Sequence, residues 1–135
     1  MKETLRPGIS RTETRIVDRS RTIDFMGEDL RIYGTPEVLR DIEFTCRNLL
    51  LQHCDPGEDS VGTGADFVHS AATPLGMEVR ISVTVTAVEG RRVVLDVVAH
   101  DAVEEVARGR HTRFVVDMEK TKQRLRAKIA KAATG

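Results

Sequence analysis

With 135 residues, 40% of them hydrophobic and 31% charged, the chain has the size and composition of one globular domain spanning residues 1–135, neither disordered nor dependent on disulfide or metal staples. The 21 basic residues cancel the 21 acidic ones, which removes the electrostatic basis for a nucleic-acid partner. No apolar run has signal-peptide length or approaches the roughly 20 residues of a membrane span, so the expectation is a soluble cytoplasmic protein without a membrane partner.

Along the chain, Ile9 to Val17 reads as an edge strand. Thr35-Pro36-Glu37 is a helix start: a hydroxyl residue that can cap, proline at the first helical position and an acid in the first turn. Leu39, Ile42, Cys46, Leu49, Leu50 and His53 then recur at helical spacing until Asp55-Pro56-Gly57, predicting one apolar helix of about 18 residues. Cys46 and Cys54 lie in or near it, too far apart to bond, and are expected as free thiols. Ser60 to Ala72 reads as a strand with Val61, Thr63, Ala65, Phe67, His69 and Ala71 on one alternating face.

The clearest alternation follows, with Val79, Ile81, Val83, Val85 and Ala87 at every second position. Glu89-Gly90 marks a hairpin turn, after which Val93 to Ala99 and about Val106 to Val116 read as two more strands. The last element, about Glu119 to Ala132, is a basic helix with a thin stripe of Leu125, Ile129 and Ala132, expected to be mostly solvated. One long apolar helix followed by four strands joined by short turns predicts an α+β architecture, an antiparallel sheet wrapped around a central helix, which is the hotdog fold. Helix and sheet edge stay partly uncovered in one copy, so a homodimer or higher homo-oligomer with a continuous sheet is the natural completion.

Three residues stand out for chemistry. Glu43 falls on the apolar stripe of the helix, either at its border reaching solvent or as a buried acid held for a partner such as histidine. His69, among small apolar neighbours, is either a satisfied core histidine or a catalyst; the turn Ser-Ala-Ala-Thr-Pro-Leu-Gly after it would bring it to a pocket rim. Thr35 has an ordinary reading as a cap and a second as a catalytic hydroxyl. Gly62 and Gly64 flank Thr63 in a strand, where glycine weakens packing unless backbone or ligand must approach closely. The histidines, His53, His69, His100 and His111, are scattered singly, without zinc spacing, and no metal is expected.

At these residues the chain resembles the fluoroacetyl-CoA thioesterase group of hotdog proteins. The likeness is carried by SVGTGADFVHSAATPLGMEVRISVTVTAVEGRRVVLDVVAHDAVEEVARGRHTRFVVDMEK and, more loosely, by GTPEVLRDIEFTC, and spans about Thr35 to Lys120. It implies an acyl-CoA thioesterase, without metal or other cofactor, in which Thr35, Glu43 and His69 are catalytic, Gly62 contacts the substrate and Arg113 binds it. Glu43 would orient His69 as general base, and His69 would activate either Thr35 or a water held by it. Arg91, Arg92 and Arg110 are further candidates for the CoA phosphates. The selective members carry phenylalanines just before the threonine, where this chain has GEDLRIYG with Tyr33 alone. Alternatives are a non-catalytic acyl-CoA or small-ligand binding module and a hotdog hydratase.

Overall fold

The computed structural model describes residues 1–134. Strand β1 (Ser10–Ile16) leads into short 3₁₀ turns at Arg19–Arg21 and Glu28–Leu30, which alternate with the two-residue strands β2 (Thr22–Ile23) and β3 (Ile32–Tyr33). Helix α1 (Thr35–Leu51) precedes β4 (Glu58–His69), β5 (Glu78–Glu89), β6 (Arg92–His100) and β7 (Glu105–Asp117), and α2 (Met118–Thr134) closes the chain. The main sheet is antiparallel throughout, in the order β1-β5-β6-β7-β4. The β5-β6-β7 meander matches the strong alternation of those segments. β4, by contrast, pairs with β7 rather than with its chain neighbour β5, and so forms one edge.

The core lies between α1 and the sheet. Val38, Ile42, Cys46, Leu49 and Leu50 are buried with Val79, Ile81, Val83 and Val85 of β5 and Val93, Leu95 and Val97 of β6. Truncating one of these, such as Leu49, to alanine costs about 2–5 kcal/mol. The sheet curls around the helix as the sequence pattern predicts. α2 buries no residue, in line with its polar composition. Among the described residues no helix is long and apolar enough to cross a membrane.

Two local expectations are corrected. Thr35 is not the cap: Gly34 occupies that position, without a side-chain cap, and its carbonyl accepts the amides of Glu37 and Val38 at 3.0 Å each. The Thr35 hydroxyl is thereby left for other work. The buried face of α1 also carries Asp41 and Thr45, whereas Leu39 is only half-buried. Asp41 is tolerated there because it is fully bonded: it accepts from the Tyr33 hydroxyl and, at 2.9 Å, from Arg21 Nε. Next to it on β1, Glu13 accepts from Arg11, Arg15 and Asn48. Burial works against the Glu13 charge, but these donors prevail and bring its carboxyl down to about 2.

β4 does not present one alternating face. A bulge at Thr63 shifts the register, so that Gly62 pairs with Arg113 while Gly64 pairs with Thr112. Ser60 and Gly62 face α1 before the bulge; after it, residues of the other parity, Ala65, Phe67 and His69, share the face of the β7 residues His111, Gly109 and Ala107 opposite them. Without the bulge, Gly62 and His69, seven apart, would point to opposite sides. Val61, expected inside, is 44% exposed.

Candidate active site

Thr35 and His69 meet because their two segments are stitched together. Tyr33 N donates to Thr73 O at 2.8 Å and Leu75 N to Arg31 O at 3.0 Å, laying the loop after β4 against β3. Thr73 is fixed in turn by donating to Asp101 at 3.0 Å. The start of α1 and the end of β4 are thus brought side by side, with Thr35 Oγ1 2.8 Å from His69 Nδ1. The Tyr33 ring stands edge-on to the imidazole, centroids 6.3 Å apart at 74°, its hydroxyl anchored on Asp41. His69 Nε2 is buried without a hydrogen-bond partner. Burial, opposed in part by the Ala71 backbone, holds the imidazole below the ordinary histidine value, so it is neutral at physiological pH.

Glu43 does not join this pair within the chain. Its carboxylate lies over Gly62, where a methyl group on the glycine would come within 2.3 Å of Oε1. The eight residues from Thr35 to Glu43 rise about 12 Å along α1, and the seven from Gly62 to His69 span roughly 20 Å of β4. Around Glu43 a 240 Å³ cavity is lined also by Arg47, Ser60, Val61, Gly62 and Arg113. Arg113 is buried, its Nε donating to Ser60 Oγ at 2.8 Å and its Nη2 to Ser60 O at 2.7 Å. The structure therefore brings the five predicted residues into two groups: Thr35 with His69, and Glu43 with Gly62 and Arg113.

Three further residues belong to the site without standing out in the sequence. Asp41 and Tyr33 support His69 from behind. His111, one of the scattered histidines, is buried beside Arg113; the signal that could have found it is its i, i+2 spacing with Arg113 on an alternating strand, which puts the two on one face. Among the other arginines, Arg91 is bonded to Glu58 at 3.1 Å, Arg92 to Glu89 at 3.3 Å, and Arg110 lies 3.8 Å from Asp96. All three are exposed surface groups paired with acids.

A hydroxyl bonded to a neutral imidazole at a helix start is an arrangement suited to acyl transfer. Residues 17–119 match the profile of the family described as fluoroacetyl-CoA-specific thioesterase. The fluoroacetyl-CoA thioesterase of Streptantibioticus cattleyicolor is 32% identical over 135 residues, covering 95% of this chain and 97% of that protein. A crystal structure of a variant of the fluoroacetyl-CoA-specific thioesterase superposes with a TM-score of 0.85 at 31% identity, covering 94% of this chain and 99% of that one. A thioesterase superfamily member from Thermus thermophilus, 22% identical with a TM-score of 0.87 over 96% of each chain, shares the fold. The chain has the hotdog fold and belongs to the fluoroacetyl-CoA-specific thioesterase family.

Proposed function

We propose that this chain hydrolyses small acyl-CoA thioesters at Thr35 and His69, with Glu43 of the partner subunit completing each site of a homodimer. The observation that carries this reading is the 2.8 Å contact between Thr35 Oγ1 and His69 Nδ1, with the other ring nitrogen buried and unpaired. If Thr35 donates its proton to Nδ1, the imidazole hydrogen sits on Nε2, where a buried donor without an acceptor costs about 1–3 kcal/mol. A carboxylate is the group that satisfies that donor and raises the basicity of Nδ1.

β4 supplies the means to deliver one. It is a 12-residue edge strand, paired on one side by β7 and open on the other, the kind of edge that a second copy covers. Antiparallel pairing of two β4 strands about an axis at Asp66 would, because Thr63 is bulged out of the register, set Gly62 of each copy opposite position 69 of the other. Glu43, lying over Gly62, would then face the partner's imidazole across the interface.

In the reaction, His69 takes the proton of Thr35, or of a water held by it, as that oxygen attacks the thioester carbonyl. The positive end of α1 at Thr35 stabilises the developing oxyanion. His69 then returns the proton to the leaving thiolate of CoA; where Thr35 is the nucleophile, the acyl group is left on it as an ester, which a water activated by the same imidazole hydrolyses, restoring the Thr35 hydroxyl. Arg113 gives the substrate a positive contact in the cavity beside Glu43. Phe25, in the segment before Thr35, is 84% exposed, and Tyr33 is committed to Asp41, so a preference for a fluorinated acyl group is not expected. CoA thioesters as substrates and two free thiols, Cys46 and Cys54, fit the cytoplasm. The test is release of free thiol by the purified protein across a panel of acyl-CoAs: turnover of short acyl chains is expected, and binding without thiol release would replace an enzyme with a ligand-binding module.

A further inference from the structure

Two polar side chains of β7, His111 and Arg113, are 2% and 4% exposed, in the layer beneath α1. Their hydrogen bonds leave one arrangement of protons. Arg113 Nη1 lies 3.2 Å from His111 Nε2, and a guanidinium has only donors, so Nε2 accepts. The imidazole proton is then on Nδ1, which lies 2.9 Å from the Gly64 carbonyl and donates to it. His111 thus ties two things that the fold would otherwise leave independent: the guanidinium on β7, and the carbonyl that follows the Thr63 bulge on β4, one residue beyond the turn in register that aims Gly62 at Glu43.

Arg113 needs that tie. Among the described residues no carboxylate lies within ion-pair distance of its guanidinium, and its other bonds all go to Ser60. A cation in no direct ion pair, at the wall of a cavity it shares with Glu43, is suited to meeting a negative group of a ligand. Its direction is set by its bonds to Ser60 at one end and to His111 at the other.

We propose that His111 is a positioning residue for substrate binding: a neutral imidazole, protonated at Nδ1, that holds the Arg113 guanidinium and the Gly62–Gly64 bulge in one binding-competent arrangement. Its bonds go to Gly64 and Arg113 and not to Thr35 or His69, so it takes no part in the proton transfer itself. The proposal rests on the reading that Arg113 meets the acyl-CoA.

The amides of asparagine and glutamine separate the two bonds. In His111→Asn the side-chain nitrogen replaces Nδ1 and keeps the bond to Gly64 but offers Arg113 no acceptor. In His111→Gln the amide oxygen stands where Nε2 stood and still accepts from Arg113. KM for a short acyl-CoA is expected to rise about tenfold in His111→Asn, the loss of one charge-assisted hydrogen bond, with kcat within about twofold of wild type. In His111→Gln, which keeps the bond to Arg113 but frees the Gly64 carbonyl, KM is expected to rise less, by about threefold. Equal KM in all three proteins, equal losses in both variants, or a fall in kcat at unchanged KM would overturn the proposal. A second measurement needs no variant and no turnover: ¹⁵N chemical shifts of the wild-type imidazoles should show His111 as the neutral Nδ1–H tautomer, and an Nε2–H tautomer or an imidazolium at neutral pH would overturn it. Wild-type protein that releases no thiol from any acyl-CoA would defeat the thioesterase reading instead, and the tautomer would still be readable.

Discussion

The carboxylate of Glu43 occupies the space in which a side chain at position 62 would begin: a methyl group on Gly62 would stand 2.3 Å from Oε1 and 3.2 Å from the His111 ring. No contact between carbon and oxygen is that short, so Gly62→Ala must push Glu43 aside. Because Glu43 is on a half-exposed part of α1 and has room to move, the fold should survive. Thioester turnover is expected to fall by about 10² in Gly62→Ala, as in Glu43→Gln, with melting temperatures close to wild type. Full activity in Gly62→Ala would mean that the position of Glu43 does not matter to the chemistry.

The proposed division of the site between protomers has its own test. Thr35→Ala and Glu43→Gln are each expected to lose most activity. A mixed dimer, one chain of each variant, isolated through two different tags, regains one intact site of the two and should show about half of wild-type turnover. If Glu43 serves the His69 of its own chain, the mixed dimer has no intact site and stays as inactive as its parents. A monodisperse monomer in light scattering at micromolar concentration would remove the second protomer altogether.

The pH dependence of the rate follows from His69. Only the neutral imidazole accepts a proton, so the rate should rise with pH through a single titration and then level off. Burial within one chain lowers the imidazole's affinity for a proton, and a carboxylate of the partner on Nε2 would raise it, so Glu43→Gln should move the midpoint to lower pH. A midpoint that Glu43→Gln leaves in place would show that this carboxylate does not reach His69.

Acid stability is expected to depend on Glu13. Its carboxyl titrates near 2 in the folded chain against 4.5 in its unperturbed state. A depressed folded value means that the stabilisation is fully present above about pH 4.5 and is lost as the pH falls through the folded value, for a total on the order of 3 kcal/mol. Glu13→Gln should lower stability in urea at neutral pH and flatten its decline between about pH 4.5 and 2. Parallel stability curves for the two proteins would show that the bonds from Arg11, Arg15 and Asn48 contribute nothing net.

What can be seen in the sequence and what cannot divides along a physical line. Periodicity reports which face of a regular element is buried, and it serves for α1 and for β5, β6 and β7, whose alternating valines sit in the core. It fails at β4, because the Thr63 bulge changes the parity midway, and the only trace of that bulge in the sequence is a pair of glycines that a close-approaching ligand or backbone would equally require. The pairing of β4 with β7 is non-local and lies beyond any local pattern. Thr35 is legible as a helix-start residue but not in its part, since whether Gly34 or Thr35 caps depends on where the chain enters the helix. Asp41 is invisible for the opposite reason: a carboxylate inside a core looks wrong until Tyr33 and Arg21 are seen bonded to it. The family likeness points to Thr35, Glu43 and His69 together, but a single chain unites only two of them.

The most direct measurement is thiol release from a short acyl-CoA by His69→Ala beside wild type, with CoA binding measured on both. If His69 is the base that Thr35 serves, kcat should fall by about 10²–10⁴ while CoA affinity stays within a few fold, because Arg113 is held on β7 opposite Gly62 by bonds that do not involve His69. Wild-type turnover in His69→Ala would contradict the assignment, and the 2.8 Å bond to Thr35 would then be a structural contact only.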